Sequence, residues 1–412
     1  MLIVQKYGGT SMGSIERIRH VAERVLRTRA AGHQVVVTVS AMAGETDRLI
    51  KLASAISDRE QPRELDVLLA TGEQATAALL AMAITAAGGQ AVSFLGHQIR
   101  IHTDSAFSRA RIRQIEASAL TQALERDQIP VIAGFQGTDA EGNITTLGRG
   151  GSDTTGVAVA AAIRADLCEI CTDVNGVYTA DPRICPDARL IPRVAYQEML
   201  ELASLGAKVL QIRSVEVAST YRVPVRVCST FSEEAGTMVV SEDSAMEKVV
   251  VTGVSLDSNQ ARITVSGLPA RPGIQAELFR PLGEAGVVVD MIVQIPPVDG
   301  RASLSFTVPL TDLRTARDRV DAAAQRLNAG PVLSDDDVAK VSIVGVGMRS
   351  HSGVAQRMFE LLAQQQIDIM MISTSEIKVS CLVARRYGEV AVRVLHDGFR
   401  LAEAPAADPA AG

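Results

Sequence analysis

A glycine-rich segment at residues 145–156, TTLGRGGSDTTG, has three glycines within four positions, next to an arginine, a serine and an aspartate. Glycine lets backbone N–H groups come close to a bound anion, and Arg149 adds a positive charge beside them. The stretch that follows, VAVAAAIRA, favours a helix, whose N-terminus would also attract negative charge. The segment therefore predicts a binding site for a phosphate or a carboxylate.

A second candidate anion site lies at the start of the chain. The apolar residues LIVQKY predict a strand, which runs through Gly8 and Gly9 into a helix with apolar residues at three- and four-residue spacing. Lys6 stands at the end of that strand, where its ammonium could reach a phosphate bound over the turn. Neither loop has the Walker spacing GxxxxGK[ST], so an ordinary P-loop is not predicted. The sequence GVGMRS at 345–350 lacks the third glycine of a dinucleotide fingerprint.

Composition limits the class of protein. The chain has 412 residues, 47% apolar and 21% charged, which is typical of a globular protein of several domains. Its net charge of −6 and the lack of a lysine–arginine cluster argue against nucleic acid as the main partner. The sequence contains neither 18 consecutive apolar residues nor a signal-peptide pattern, so we expect a cytoplasmic protein without a membrane span.

The cysteines and histidines give little indication of a metal site. Five scattered cysteines do not form a disulfide framework, and the six histidines are isolated in the sequence. Cys168 and Cys171 form a CxxC pair, but alternation along a strand would direct the two thiols to opposite faces. No second pair with ligand spacing exists. We therefore predict no metal ion held by the protein itself.

The arrangement of elements predicts where these candidates meet. From residue 1 to about 243, apolar strands alternate with helices, which indicates a mainly parallel sheet covered by helices on both faces. Ligands of such folds bind at the carboxyl ends of the strands. This rule collects the following residues at one edge of the sheet: Lys6, Ser40, Gly148 to Asp153, Thr172 and Asp173.

The C-terminal region contains an internal duplication. Five residue pairs recur at a separation of 80: Gly267 and Gly347, Gly273 and Gly353, Phe279 and Phe359, Met291 and Met371, and Ile292 and Ile372. Each copy predicts a small α+β unit of strand, glycine turn, helix, strand, and a further strand and helix. We place the copies at 244–335 and 336–400, with the strand at 248–256 open to either. The alanine- and proline-rich tail, 401–412, is predicted to be disordered.

Three long motifs carry a family resemblance: KYGGTS at 6–11, TLGRGGSDTTG at 146–156 and TDVNGVYTADPR at 172–183. They resemble the signatures of aspartokinases, in the amino-acid kinase superfamily, and the duplicated region resembles the paired ACT domains of that family. The resemblance implies an α/β fold, in which a three-layer αβα kinase domain with a mainly parallel sheet, at 1–243, precedes two α+β ACT-like regulatory domains.

The resemblance also implies a reaction, in which the γ-phosphoryl of MgATP is transferred to the side-chain carboxylate of L-aspartate. The product would be 4-phospho-L-aspartate, at the first step of lysine, threonine and methionine biosynthesis. A carboxylate is already ionised at neutral pH, so the reaction needs no general base, and catalysis depends on positioning and on neutralising charge. A site rich in lysine, arginine and glycine meets that requirement. Mg²⁺ would enter with ATP, held mainly by phosphate oxygens and water.

Residue roles follow from the resemblance, position by position. The catalytic residues would be Lys6, Asp153 and Lys208. Arg149 would bind the α-carboxylate of aspartate and Glu73 its ammonium, with Ser40, Thr46 and Ser152 completing the pocket. The nucleotide would be bound by Lys6, Gly8, Gly9, Thr10, Thr172, Asp173, Tyr178, Asp181, Arg183 and Lys208.

ACT domains in this family pair across subunits and bind lysine, threonine or both as inhibitors. By resemblance, the effector site would comprise Ala270, Gly273, Asp290, Gln294, Val354, Ala355, Asp368, Ile369 and Ser375. At Ala270, Ala355 and Asp368 the family more often has aspartate, threonine and asparagine, so the sequence leaves the effector open. The resemblance further implies a homo-oligomer, or an α2β2 assembly whose small subunit arises from an internal start near Met246.

Three other interpretations fit less of the sequence. Another acyl kinase, acting on glutamate or N-acetylglutamate, would keep the glycine loops but is not expected to carry KYGGTS or two terminal repeats. A non-catalytic amino-acid sensor would not need the complete set of Lys6, Glu73, Arg149, Asp153 and Lys208. A nucleotide monophosphate kinase should have more arginines near the acceptor pocket, to bind its acceptor phosphate.

Overall fold

The structure, a computed structural model, describes residues 1–57, 59, 61–204, 209–243 and 246–403. These residues form two compact units. The first consists of Met1–Val177, Leu190–Ser204 and 209–243, and the second of Tyr178–Arg189 and 246–403.

The first unit alternates strands and helices along most of its length. Its strands are β1 (Leu2–Tyr7), β2 (Gln34–Val39), β3 (Ala91–Phe94), β4 (Ile101–Thr103), β5 (Ile112–Ile115), β6 (Ile129–Ala133), β7 (Gln136–Thr138), β8 (Ile144–Thr146), β9 (Leu167–Thr172), β10 (Arg193–Ala195), β11 (Val225–Ser229) and β12 (Thr237–Val240). Its helices are α1 (Ile15–Ala30), α2 (Glu45–Ile56), α3 (Pro62–Ala86), α4 (Ser118–Glu125), α5 (Gly151–Ala162), α6 (Tyr196–Ser204) and α7 (Ile212–Tyr221).

An eight-stranded sheet forms the centre of this unit, in the order β10-β12-β11-β9-β1-β2-β6-β3. All neighbours from β11 to β3 are parallel, while β12 runs antiparallel to β11 and parallel to β10. A small second sheet has the order β5-β4-β7-β8. The mainly parallel sheet expected from the sequence is confirmed.

Both faces of the large sheet are covered by helices. Tyr7 and Val37 pack on one face with the apolar stripes of α1 and α3. Lys6 is the neighbour of Tyr7 on β1, so its side chain lies on the other face, where it meets Gly156 of α5. The residues of β2 from Val35 to Val39 are all buried, as a strand covered on both sides requires. These contacts confirm the predicted three-layer αβα arrangement.

Helix α3 shapes the site that follows. By length and composition alone this 25-residue helix could cross a membrane. It packs against β2, β3 and β6, however, and its buried residues include the carboxylic acids Asp66 and Glu73. A mostly apolar helix with two buried acids is a core helix that brings polar groups to a site.

The second unit contains the duplicated region. Its elements are β13 (Gly253–Pro269), α8 (Ile274–Glu284), β14 (Asp290–Val298), β15 (Arg301–Pro309), α9 (Leu313–Arg326), β16 (Val332–Val344), α10 (Val354–Gln364), β17 (Met371–Thr374), β18 (Lys378–Ala384) and α11 (Gly388–Gly398). Each copy therefore has the order βαββα. Helices α8 and α10 begin 80 residues apart, each after a left-handed glycine, Gly273 or Gly353, with φ of 85°. The duplication seen in the sequence is thus present in the fold.

The two copies share one six-stranded sheet, in the order β14-β15-β13-β16-β18-β17. The long central strands β13 and β16 are antiparallel, and each contributes to both copies. The start of β13, with Val254, lies in the apolar cluster of the second copy, whereas Ile263, farther along, lies in that of the first. The sequence did not decide to which copy the predicted strand at 248–256 belongs. In the structure β13 begins at Gly253, and its first residues pack in the second copy.

The segment Tyr178–Arg189 belongs to the second unit. From the sequence it was expected to lie in the kinase domain, at 1–243. The Val254 N–H donates to the Thr179 carbonyl at 2.7 Å, and the Thr179 hydroxyl bonds to Nε2 of His396 at 2.9 Å. Ala180 and Cys185 are buried in the apolar cluster of the second copy. These contacts are long-range in sequence, which is why the motif alone did not reveal them.

Leu401, where the tail was predicted to start, packs in the second copy. Leu401 is buried in the core of the second copy, and its N–H donates to the carbonyl of His396 at 3.0 Å. Leu401 is therefore part of the domain, and the expectation of disorder from residue 401 is wrong at that residue. The rest of the predicted tail, 404–412, lies outside the described residues.

Candidate active site

The candidate residues at the sheet edge lie on adjacent strands. Strands β9, β1, β2 and β6 are neighbours and parallel, so their carboxyl ends lie side by side. Lys6 is the next-to-last residue of β1, Ser40 directly follows β2, and Thr172 ends β9. The N–H of Ser40 donates to the carbonyl of Tyr7 at 3.0 Å, which joins the ends of β1 and β2.

A buried ion pair forms the centre of this edge. The ammonium of Lys6 lies 2.5 Å from Oδ1 of Asp153, and the two side chains are 9% and 14% exposed. Asp153 is in the first turn of α5, where the helix dipole favours a carboxylate. A Cβ on Gly156 would lie 3.1 Å from Cβ of Lys6, so this glycine allows the lysine stem to pack directly on the helix. The lysine is therefore held in place before any substrate binds.

The glycine loop enters α5 with a backbone that other residues would strain. Gly148 and Gly150 have φ of 77° and 72°, and a Cβ on Gly148 would lie 2.9 Å from the carbonyl oxygen of Ser108. Ser152 is buried, whereas Arg149 is exposed at the top of the loop. The Arg149 carbonyl accepts a hydrogen bond from Nε2 of Gln211 at 2.7 Å. The loop thus presents a guanidinium on a backbone that is fixed from several sides.

Glu73 is a buried carboxyl near the lysine. It is 4% exposed on α3, and burial raises its pKa to about 7, although the Ala41 N–H and the Lys6 charge both favour the ionised form. Among the described residues, its buried Oε2 has no hydrogen-bond partner. A buried acceptor without a partner suits a cationic ligand, such as an ammonium group.

Several residues predicted to bind the nucleotide lie at the ends of β1 and β9 or directly after them. The Gly8 N–H donates to the carbonyl of Cys171 at 3.3 Å. To act as the expected donor to phosphate, this amide would have to divide its hydrogen bond between the carbonyl and the phosphate. A Cβ on Gly9 would lie 3.0 Å from the carbonyl oxygen of Ala41. The Thr172 hydroxyl donates to Asp173 at 3.2 Å. Thr10 is exposed, and its carbonyl accepts from Arg17 at 2.6 Å.

Four further predicted nucleotide residues fall outside the described part of the first unit. Tyr178, Asp181 and Arg183 belong to the second unit, whereas the strand ends just described belong to the first. The guanidinium of Arg183 binds Asp181, with Nη2 and Oδ2 2.6 Å apart, and this contact lowers the pKa of the Asp181 carboxyl. Lys208 lies outside the described residues. Thr46, assigned to the aspartate pocket, is half-buried in the first turn of α2.

Three residues that support the site were missed in the sequence. Asp66 is fully buried and accepts hydrogen bonds from Ser108 and Thr146. Arg213 donates to the carbonyls of Leu147 and Ala110, each at 2.6 Å, and Gln211 holds the Arg149 carbonyl. Asp66 could have been found, since it precedes Glu73 by two helical turns on one face of α3. Nothing in the sequence distinguishes Arg213 from a surface arginine.

The cysteines make a different pairing from the CxxC motif. Cys168 and Cys171 are both buried in β9, but Sγ of Cys171 faces Sγ of Cys228, on the neighbouring strand β11, at 3.8 Å. Both cysteines are free, and at this distance either thiol could donate a weak hydrogen bond to the other.

The predicted effector residues lie in the second unit. Ala270 and Gln294 line a cavity of about 310 Å³ beside α8, and Gly273 directly precedes that helix. Asp290 forms an ion pair of 2.6 Å with the buried Lys340. In the second copy, Val354 begins α10 and is buried, Ala355 and Ile369 are half-buried, and Asp368 and Ser375 are exposed.

Comparison with known proteins identifies the family. Residues 1–229 match the amino acid kinase family, and residues 341–399 match an ACT domain. The chain is 52% identical over 410 residues to an aspartate kinase of Stutzerimonas stutzeri, covering 99% of both chains. It is likewise 52% identical over 407 residues to an aspartokinase of Pseudomonas aeruginosa, covering 98% of each.

Solved structures show the same relationship. The crystal structure of E. coli aspartokinase III in complex with aspartate and ADP, in the R-state, has a TM-score of 0.80 at 26% identity, covering 97% of this chain and 99% of that one. The T-state structure of the same enzyme, in complex with lysine and aspartate, has a TM-score of 0.75. The chain belongs to the aspartokinases, ATP-dependent enzymes of the amino acid kinase family.

Proposed function

We propose that this protein transfers the γ-phosphoryl of MgATP to the side-chain carboxylate of L-aspartate and forms 4-phospho-L-aspartate, the first step of lysine, threonine and methionine biosynthesis. One observation carries the proposal: the buried Lys6–Asp153 pair lies between two glycine loops and within reach of the charge of Glu73. The E. coli relative, which was crystallised with aspartate and ADP, supports the choice of substrates.

The geometry suits an acceptor that is already anionic. The carboxylate of aspartate attacks the γ-phosphorus, the bond to the β,γ-bridging oxygen breaks, and ADP leaves, without proton transfer. Lys6, oriented by Asp153, neutralises charge on the moving phosphoryl group. Glu73 binds the ammonium of aspartate and Arg149 its α-carboxylate, so the side chain is directed at the phosphate. Ser40, Thr46 and Ser152 complete this pocket.

On the nucleotide side, we assign Gly8, Gly9 and Thr10 to the phosphates, and Thr172 and Asp173 to the nucleoside. The glycine positions fit a bound phosphate, since a Cβ on Gly8 would lie 3.4 Å from the Lys6 ammonium. Tyr178, Asp181, Arg183 and Lys208 are assigned to the nucleotide by family resemblance. Mg²⁺ accompanies ATP and is bound mainly by its phosphate oxygens and by water.

We further propose that lysine, threonine or both inhibit the enzyme through the ACT copies. The cavity of about 310 Å³ beside α8 supports this assignment, because it is large enough for an amino acid and is lined by Ala270 and Gln294. The E. coli relative has a T-state structure with lysine. Titrating each amino acid into the kinase assay tests the proposal, and inhibition by neither would reject it.

The assembly and compartment complete the proposal. We assign a cytoplasmic location and a homo-oligomer, or an α2β2 assembly in which a second product from Met246 supplies extra ACT copies. The net charge of −6 gives no support for nucleic acid as a partner.

The reaction can be tested by trapping the acyl phosphate with hydroxylamine, with aspartate or glutamate as acceptor. We expect hydroxamate from aspartate and ATP, and little from glutamate. Lys6→Met should lower kcat on the order of a hundred- to a thousandfold, because it removes the cation at the transferred group. The exposed Lys51 on α2 provides the control, and K51M should keep normal kinetics. Equal rates with glutamate, or an active K6M enzyme, would refute the assignment.

A further inference from the structure

We propose that Asp66 is a positioning residue for the aspartate pocket, which fixes strand β8 on helix α3 and thereby sets Arg149 at the correct distance from Glu73. The inference rests on the proposed function, in which Glu73 and Arg149 hold the two charged ends of the amino acid. Asp66 itself contacts no substrate.

The contacts of Asp66 join two segments to α3. Its side chain is fully buried. Oδ2 accepts from the N–H of Thr146 at 2.7 Å and of Ser108 at 2.9 Å, while Oδ1 accepts from the hydroxyl of Thr146 at 2.8 Å and of Ser108 at 3.2 Å. Four donors on one buried carboxylate form a charge-assisted network, which is much stronger than a single neutral contact.

Both anchored segments adjoin the glycine loop at 148–151. Thr146 is the last residue of β8 and lies three residues before Arg149. Ser108 supplies the carbonyl that limits the space at Gly148, since a Cβ there would lie 2.9 Å from it. The carboxylate thus holds the base of the loop on one side, while Arg213 holds the Leu147 carbonyl on the other.

Helix α3 sets the spacing between the two ends of the pocket. Asp66 and Glu73 lie on the same face, seven residues apart, which is a rise of roughly 10 Å. Because a helix is stiff over two turns, a loop anchored at Asp66 keeps a fixed position relative to Glu73. Aspartate is proposed to bind Glu73 and Arg149 at the same time, whereas ATP binds neither. A change at Asp66 should therefore weaken binding of aspartate more than binding of ATP.

Asp66→Asn is the sharpest test, because the shape is kept while an amide NH₂ replaces one acceptor and faces an N–H donor. Asp139 offers a matched control in the turn between β7 and β8. It is 5% exposed and accepts from the N–H groups of Glu141 and Asn143 at 3.0 and 2.9 Å. D139N thus disturbs a similar buried carboxylate, ten residues before Arg149 and outside β8.

With the full-length enzyme and the hydroxamate assay, we expect D66N to raise KM for aspartate about tenfold or more, and KM for ATP less than about twofold. D139N should change both constants less than about twofold. A purely structural role would lower the amount of folded protein while the folded fraction kept normal KM values. Normal KM for aspartate in D66N, or equal increases for both substrates, would overturn the proposal.

A second variant covers the case in which D66N fails to fold by circular dichroism. Thr146→Val removes only the hydroxyl donor to Asp66 and keeps the shape, and it should raise KM for aspartate by roughly two- to fivefold. An unchanged KM for aspartate in T146V would then overturn the inference. Wild-type enzyme that forms no hydroxamate from aspartate would instead reject the proposed function, on which the inference depends, so the two failures differ.

Discussion

Glu73 is a buried carboxyl that is assigned to bind a cation. Burial disfavours the ionised form of the carboxyl, whereas binding of a cation requires that form. Burial raises its pKa to about 7, so near neutral pH only about half of the free enzyme carries the charge that the substrate ammonium needs. The fraction ionised grows from about one-tenth at pH 6 to about nine-tenths at pH 8. We therefore expect kcat/KM for aspartate to rise about tenfold over this range and then level off.

The variant Glu73→Gln provides the check on this pH dependence. It should lower kcat/KM on the order of tenfold or more and remove the rise between pH 6 and 8. Because the folded pKa lies above the unfolded value of 4.5, the wild-type carboxyl makes the protein less stable as pH rises from about 4.5 to 7. E73Q should therefore melt higher than wild type at pH 8. A rise in kcat/KM that persists in E73Q would show that another group titrates.

Individual residues differed in how far the sequence could reveal them. Lys6 and Arg149 stand beside glycines, whose spacing points to an anion site without any knowledge of the fold. Glu73 was found only through family resemblance, because a glutamate on a helix looks like a surface residue until its burial is known. Asp66 was missed, since its partners Ser108 and Thr146 are 42 and 80 residues away in sequence.

At the scale of elements, the glycine loop before α5 offers a matched pair of substitutions. Gly148 and Gly142 both have positive φ, 77° and 83°, so backbone strain from alanine at either should lower the free energy of unfolding by roughly 1–2 kcal/mol, and G148A should lose somewhat more because of its clash. The surroundings differ, because the methyl group of G148A would press on the Ser108 carbonyl, whereas that of G142A meets no atom within 4 Å. We expect only G148A to raise KM for aspartate, by about tenfold.

Urea unfolding of both variants measures the cost of backbone strain, and steady-state kinetics measure the effect on substrate binding. If G142A and G148A lose equal stability and both keep a normal KM for aspartate, the position of this loop is not limiting for substrate binding. A large loss in ATP affinity for G148A would place the loop on the nucleotide side instead.

The elements themselves were more predictable than their partners. Alternation of apolar strands with helices predicts the parallel sheet, and the recurrence at 80 residues predicts two βαββα copies. Periodicity cannot show that β13 and β16 each run through both copies, because a strand's partners are set by packing across the sheet. The boundary drawn between the copies at 335 therefore falls within β16, which the structure shows to be a shared strand.

At the scale of the molecule, one predicted motif is divided between the two compact units, since TDVNGVYTADPR begins in the first unit and belongs to the second from Tyr178 onward. Its length and polarity gave no sign of its packing, which is decided by buried Ala180 and Cys185 in the second unit. The long C-terminal segment of that unit is described from Met246, which is 9% exposed and starts a short 3-10 helix before β13. A product starting there would contain β13 and β16 whole, and with them all six strands of the sheet.

Expression of the natural coding sequence with a C-terminal tag tests whether such a product is made. We expect two tagged bands, the shorter with its N-terminus at Met246 by mass spectrometry. Met246→Leu should remove the shorter band and leave the longer one, since leucine fills the buried site with similar volume. Met238→Leu, on β12 just upstream, should keep both bands. A shorter band that survives M246L, or a single band from the wild type, would contradict an internal start and leave the homo-oligomer as the assembly.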